Sequence, residues 1–291
     1  MNRDMLFAKL ETITNLPTLP SIMNRLTEGV KDPNADAEKI AGIIKDDPSM
    51  MARVLKVVNS AAYGASEPVT SLQQAVAMMG LRGVQNIALS TSVFETFGKK
   101  DERDFNREEF WRHCICVGIA VNVLYDQTQA TLSRRYPRDV LHLSGLLHDI
   151  GKIIFEHFFH EDFLRCLDLS EKGEIPLFQA ERSVFGADHA EVGAWLATRW
   201  NMTEEVAAAV RFHHEPEAAP EKHVELVRLC HTANYICCLE KIGDGGDNRA
   251  PVFIIGVWKR IGLKVRDIRT MVATILEQSK ESETLLSIMR G

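Results

Sequence analysis

Gly145-Leu146-Leu147-His148-Asp149-Ile150-Gly151-Lys152 is the stretch that decides how this chain folds. An imidazole and a carboxylate stand side by side between apolar residues, with a glycine on either flank and a lysine closing the motif. Apolar residues around it recur at helical spacing, which predicts a helix over residues 138–148 before the pair and another over 153–169 after it. The same period continues outward. Ala37, Ile40, Ala41 and Ile44 repeat at i, i+3, i+4 and i+7 behind Asp36 as an N-cap. Asp47-Pro48 opens a second helix with proline at its first position; it carries Val54, Val57 and Val58 and ends near Tyr63-Gly64. Ser71 caps a third, closed by Gly80, and 82–97 forms a fourth. Downstream, helices are predicted over 108–125, 176–185, 189–200, 204–212, 222–239 and 267–289, the last a charged amphipathic cover or contact element. Residues 252–257 fit a strand or a buried helix equally. No alternating pattern occurs elsewhere, so the fold class is all-α.

The polar stretch over residues 98–106 lacks apolar periodicity and marks a boundary. The expected organisation is a helical half over 1–100, a second over 101–240 and a helical extension over 241–291. Residues 244–248, Asp-Gly-Gly-Asp-Asn, read as a loop by composition.

The 291 residues are 45% hydrophobic and 25% charged, the composition of an ordinary soluble globular protein. A net charge of −6 argues against a nucleic-acid binder, which would carry a basic excess. Lys99-Lys100 and Arg134-Arg135 are short pairs without aromatic interleaving, as on a solvated surface. No uncharged apolar run approaches the roughly 18 residues that span a bilayer, and Lys9 and Glu11 interrupt any signal-peptide core. A cytoplasmic protein that binds neither membrane nor nucleic acid is expected. Six cysteines, none in a CxxC pair, read as reduced and mostly buried thiols.

Ten histidines are the unusual feature, and they fall unevenly. Glu109 and His113 sit at i, i+4 on one helix face. His148-Asp149 stands in the opening motif, His189 opens a later helix, and His213-His214-Glu215 closes another. His231 and Asn234 lie at i, i+3 on the helix after that. Imidazoles and carboxylates are ligands for Fe, Mn or Zn, and a bundle builds such sites by pointing them inward from several helices. Each group has a bland alternative. His113 alone would be a hydrogen-bonded core residue, His148-Asp149 a helix end with Gly151 as its C-cap, and His213-His214 cations at a helix C-terminus. Five groups on separate helices are harder to explain that way. His142, His157, His160 and His223 read as bystanders.

The ordered motifs resemble those of HDOD domains: Leu16-Pro17-Thr18-Leu19-Pro20, Asp47-Pro48, Asn59-Ser60-Ala61-Ala62-Tyr63-Gly64, Trp111-Arg112-His113, residues 145–151, Phe185-Gly186 through His189, and Trp200 before His213-His214. The resemblance covers roughly residues 14–240. It implies an HD-domain-like helical bundle with an additional N-terminal helical subdomain, typical of bacterial regulatory and signalling modules, many of which have lost their metal ligands. Against the related HD-GYP cyclic-dinucleotide phosphodiesterases, Glu109, His113, His148, Asp149, His189, His213 and His214 stand at metal-ligand positions. Lys152 matches a lysine that contacts phosphate. Asn234 stands where the last aspartate ligand belongs, with His231 one turn away, and no Gly-Tyr-Pro loop follows His214. The resemblance therefore implies a divalent transition-metal site, of one or two Fe, Mn or Zn ions, more strongly than it implies hydrolysis. The expected function is a signalling module acting through protein partners. The alternative is a phosphohydrolase on a nucleotide, cyclic dinucleotide or other phosphoester, with Asp149 and Lys152 as catalytic residues. The Leu16–Pro20 and Asn59–Gly64 motifs are read as structural, in a half that presents a partner surface.

Overall fold

A computed structural model describes residues 1–13, 42–44, 48–59, 68–97, 105–247, 251 and 254–290. The Leu16-to-Pro20 motif, the helix predicted from Ala37 (apart from 42–44), Asp47, residues 60–64 and the polar stretch 98–104 lie outside them, as do Asn248 and residues 252–253. The described elements are α1 (Arg3–Thr12), α2 (Pro48–Val58), α3 (Leu72–Phe97), α4 (Arg107–Thr128), α5 (Arg138–Leu147), α6 (Ile150–Phe158) and α7 (His160–Gly173). They continue with α8 (Leu177–Phe185), α9 (His189–Arg199), α10 (Glu204–Phe212), a 3-10 turn (Pro216–Ala218), α11 (Val224–Leu239), α12 (Ile255–Arg260) and α13 (Val265–Arg290). No strand occurs among the described residues, and the fold is all-α. None of these helices is long and apolar enough to cross a membrane.

The chain forms two compact units, Met1–Leu16 with Asp101–Leu276, and Pro17–Lys100 with Glu277–Gly291. In the second, Asn59 follows α2 and clasps the segment leading to α3. Its Nδ2 donates to Val69 O at 2.7 Å, and Val69 N donates to its Oδ1 at 2.6 Å. Ser71 and Gln74 then form a reciprocal cap: Gln74 N donates to Ser71 Oγ (3.2 Å) and Ser71 N to Gln74 Oε1 (3.1 Å). The helices predicted on either side of Gly80 meet within the α3 span at a kink, where the glycine leaves helical geometry (φ 75°, ψ 162°) and separates the two as expected.

In the first unit, α4 packs on α5 and α11, α9 packs on α6 and α10, and α7 packs on α8. Trp111, Phe110, Phe155, Phe163 and Phe185 are all but fully buried, each contributing about 1.5–3 kcal/mol of apolar burial. Phe155 and Phe185 stack at 4.1 Å, joining α6 to α8. Arg107 and Glu156, a buried ion pair, tie α4 to α6. The helix predicted over 153–169 is two, α6 and α7, because Phe159 leaves helical geometry (φ −136°, ψ 39°) and turns the chain.

The glycines of the opening motif are packing devices. A Cβ on Gly145 would come 2.5 Å from the backbone nitrogen of Gly118, so α5 lies directly on α4. Gly151 is not a C-cap. It sits in the first turn of α6, where a Cβ would collide with the carbonyl oxygen of His189 and the α9 backbone behind it. Because backbone rather than a flexible side chain must give way, Gly145→Ala and Gly151→Ala are each expected to lower the unfolding free energy by about 1–3 kcal/mol or more in urea denaturation. Gly173→Ala, whose Cβ would meet only Ile175 at 3.6 Å, is the control and should change stability by less than about 1 kcal/mol.

Candidate metal centre

His148 and Asp149 are the two residues that join α5 to α6: His148 is the C-cap of α5 and Asp149 the N-cap of α6. Both side chains have no solvent exposure. The N-terminal end of α6 favours a negative charge at Asp149. His148 donates from Nδ1 to Gly145 O at 2.7 Å, which fixes the tautomer and leaves Nε2 as a lone pair 3.3 Å from Asp149 Oδ2. His213, the C-cap of α10, repeats the device with Nδ1 on Val210 O at 2.8 Å and Nε2 3.5 Å from Asp149 Oδ1.

His189 is set by α8 and the start of α9. Asp188 caps α9 by accepting from Glu191 N at 2.9 Å and is itself paired with Arg182 at 2.7 Å. Glu181 Oε2 accepts from both His189 N (2.8 Å) and His189 Nδ1 (2.6 Å), turning Nε2 inward to 3.1 Å from Asp149 Oδ1. His214 Nε2 reaches His189 Nε2 at 2.8 Å, and its ring stacks on Phe178 at 4.4 Å. His113, in the middle of α4, places Nε2 4.0 Å from Asp149 Oδ2.

Asp149 thus belongs to two groups at once. Asp149, His189, His213 and His214 bring donor atoms within 4.8 Å of one another, and so do His113, His148 and Asp149. One carboxylate oxygen serves each group, the disposition of a carboxylate able to bridge two ions. Asn234 stands at the rim, its Oδ1 3.1 Å from His113 Nε2 and 3.2 Å from the Cys238 sulfur. His231 lies behind His213, donating from Nδ1 to its carbonyl at 2.7 Å. The Glu109 carboxylate is not brought in: it lies 3.2 Å from Arg112, and its carbonyl accepts from Asp244 N. The bystander histidines stay apart, His157 exposed and His223 buried beside Glu204.

Lys152, fully buried one turn along α6, donates to Asp149 Oδ2 (2.7 Å), Gly245 O (2.9 Å) and Asp247 Oδ2. Sequence reading gave no signal for Glu181 or Asp247. Glu181 is an ordinary helical glutamate until α8 and α9 meet, and Asp247 is one more acid in a glycine-rich loop.

Burial dominates the protonation states. It pushes His148 down to about 4, against partial compensation by Asp149, and lowers His113 and His214. These imidazoles are neutral, with lone pairs to give. At Asp149 burial opposes ionisation, but the Lys152 ammonium beside it outweighs that and holds the carboxyl well below its usual range. At His189 burial is likewise overcome, by Glu181 and Asp149, and the imidazole is raised to about 10.

The donor set fits a divalent transition metal. The Nε2 atoms of His148 and His213 are buried with no hydrogen-bond partner among the described residues, an arrangement that costs about 1–3 kcal/mol for each polar group unless something binds it. Several imidazoles with one carboxylate suit Zn, Mn or Fe, whereas Ca and Mg prefer all-oxygen shells.

Comparison with known proteins agrees with this architecture. An HDOD domain protein of unknown function from Geobacter sulfurreducens superposes with a TM-score of 0.78 at 26% identity, covering 95% of this chain and 98% of that one. A protein from Shewanella amazonensis SB2B, provisionally described as a phosphohydrolase, shares the fold with a TM-score of 0.73 at 21% identity, covering 95% and 97%. An uncharacterized Treponema pallidum (strain Nichols) protein is 29% identical over 226 residues, 77% of this chain. The match takes in 42% of that protein, so the chain spans about two-fifths of the curated relative's length. The HDOD domain profile matches residues 16–216, a span that carries His113, His148, Asp149, His189, His213 and His214, and the chain belongs to the HDOD family.

Proposed function

We propose that this chain is a signalling module that keeps an HD-type metal centre and acts by binding protein partners. His113, His148, Asp149, His189, His213 and His214 would hold one or two transition-metal ions, with Asn234 positioning His113 from the rim and Glu109 outside the centre. When bound, such an ion supplies a fixed positive charge and Lewis acidity. The observation that carries the reading is the state of Lys152. The side chain best suited to an anionic substrate has all three ammonium protons taken by Asp149, Gly245 O and Asp247, and it has no solvent exposure. A centre whose anion-binding group is already satisfied is built to hold a conformation rather than to turn over substrate.

Elemental analysis of the chain purified without added metal is expected to find at least one transition-metal ion per chain, and the His148→Ala/Asp149→Ala double variant should lose it. A metal-free wild-type chain that Fe, Mn and Zn all fail to load would exclude the centre. Glu181→Gln should leave the fold intact but loosen the orientation of His189, weakening metal affinity by about 10–100-fold in chelator competition.

A phosphohydrolase is the second reading, favoured by Lys152 lying 2.7 Å from the carboxylate shared by both groups. In a panel of phosphoesters that includes cyclic dinucleotides, assayed with added metal, the signalling reading expects no turnover. Turnover that vanishes in Asp149→Asn would establish the hydrolase instead.

A further inference from the structure

Residues 242–247 form a built loop over one side of the centre. His113 Nδ1 meets Ile242 O at 3.3 Å, and Asp244 N donates to Glu109 O at 3.0 Å, so the loop is pinned to α4 at two points. Gly243 (φ 68°) lies so close to α4 that a Cβ would collide with His113 N. At Gly245 a Cβ would stand 3.2 Å from both Asp149 Oδ2 and the His113 ring, so bare backbone covers the His113–His148 half of the centre. Gly246 (φ 79°) rests on Phe105. The positive φ angles and close approaches are ones only glycine meets without strain.

The chemistry beneath this cover is specific. Of the three acceptors on Lys152, Asp149 cannot withdraw, because it is the buried N-cap of α6 and belongs to both donor groups. The other two, Gly245 O and the Asp247 carboxylate, belong to the loop. Any anion that reaches Lys152 must displace them. Room for that displacement exists on the far side, where a cavity of about 430 Å³ is lined by Phe105, Leu164, Leu167 and the loop's own Asp244 and Gly246.

We propose that the 242–247 loop is an autoinhibitory plug, in which the Asp247 carboxylate occupies the place on Lys152 that a small phosphate-bearing ligand would take, so that ligand and loop exclude one another. The inference rests on the reading of Lys152 as the anion-binding group of the proposed centre and adds what controls it. Opening would expose Lys152 and the His113–His148 half together and would displace Asp244 and Gly246 toward the cavity. It converts arrival of an anion into a change at the outer face of the loop, a change that a protein partner can read.

Competition of this kind lowers apparent affinity by the fraction of molecules that are open, so a plug closed in 90–99% of molecules weakens binding by about 10–100-fold. The test is calorimetric titration of the full chain, as purified with its metal, with inorganic phosphate. Asp247→Asn should bind at least about 10-fold more tightly than wild type, and the gain should vanish in Asp247→Asn/Lys152→Gln. A folded Asp247→Asn chain with unchanged phosphate affinity, or a gain that survives loss of Lys152, overturns the proposal. Hydrogen exchange on the wild-type chain gives an answer that needs no variant. Saturating phosphate should speed exchange at the amides of Asp244 and Gly246, and unchanged rates there count against the plug. Metal content measured on the same samples separates the two ideas: a metal-loaded chain that fails these tests loses only the plug, and a chain that never holds metal loses the centre.

Discussion

A buried carboxylate is the constraint from which the rest of this structure follows. Asp149 has no solvent exposure, and ionising it there is costly unless positive charge or donors surround it. The fold supplies the charge from the next turn of α6, where Lys152 donates to Oδ2 at 2.7 Å, and gathers the ring nitrogens of His148 from the end of α5, His113 from α4, His189 from α9 and His213 from α10 around the same carboxylate. Five helices must approach one point for this to work. Glycines allow the approach, Gly145 laying α5 on Gly118 of α4 and Gly151 laying α6 on the backbone of α9. The motif Gly-Leu-Leu-His-Asp-Ile-Gly-Lys is therefore one device: two glycines bring the helices in, and the pair between them carries the charge they converge on.

The surrounding side chains hold the donors in one orientation. Backbone carbonyls at Gly145 and Val210 take the Nδ1 protons of His148 and His213, and Glu181 does the same for His189 with a charge. Each of these bonds leaves Nε2 facing the shared carboxylate. A metal ion at this point would find its ligands pointed, with His148 neutral and His189 losing a proton when the ion binds. The same geometry gives all three protons of Lys152 an acceptor, in Asp149, Gly245 O and Asp247.

Much of this was legible in the sequence. Helical periodicity along the chain fixed the all-α class, and of the positions that sequence reading gathered into one set, His113, His148, Asp149, His189, His213 and His214 converge in space while His231 lies behind His213. Local signals also worked where the physics is local, as with Ser71 and Gln74, whose spacing is that of a reciprocal cap. Errors came where a residue's role depends on what lies across from it. Gly151 resembles a helix stop in sequence, but its reason for being glycine is the carbonyl of His189. The break at Phe159 was invisible because the apolar pattern runs through it, while the aromatic packing of Phe155 and Phe159 on Phe185 turns the chain.

Sequence alone determined which side chains can bind a metal, since imidazoles and carboxylates have that chemistry wherever they lie, and it determined that they ride on helices. Only the tertiary structure decided which of them meet. Glu109 shares a helix face with His113, yet its carboxylate lies beside Arg112. Glu181 and Asp247 carry no motif, yet one aims His189 and the other closes on Lys152. The reason is physical: ligand chemistry is a property of a residue, whereas orientation, burial and occupancy are properties of its neighbours, and those neighbours are brought together by packing from distant parts of the chain.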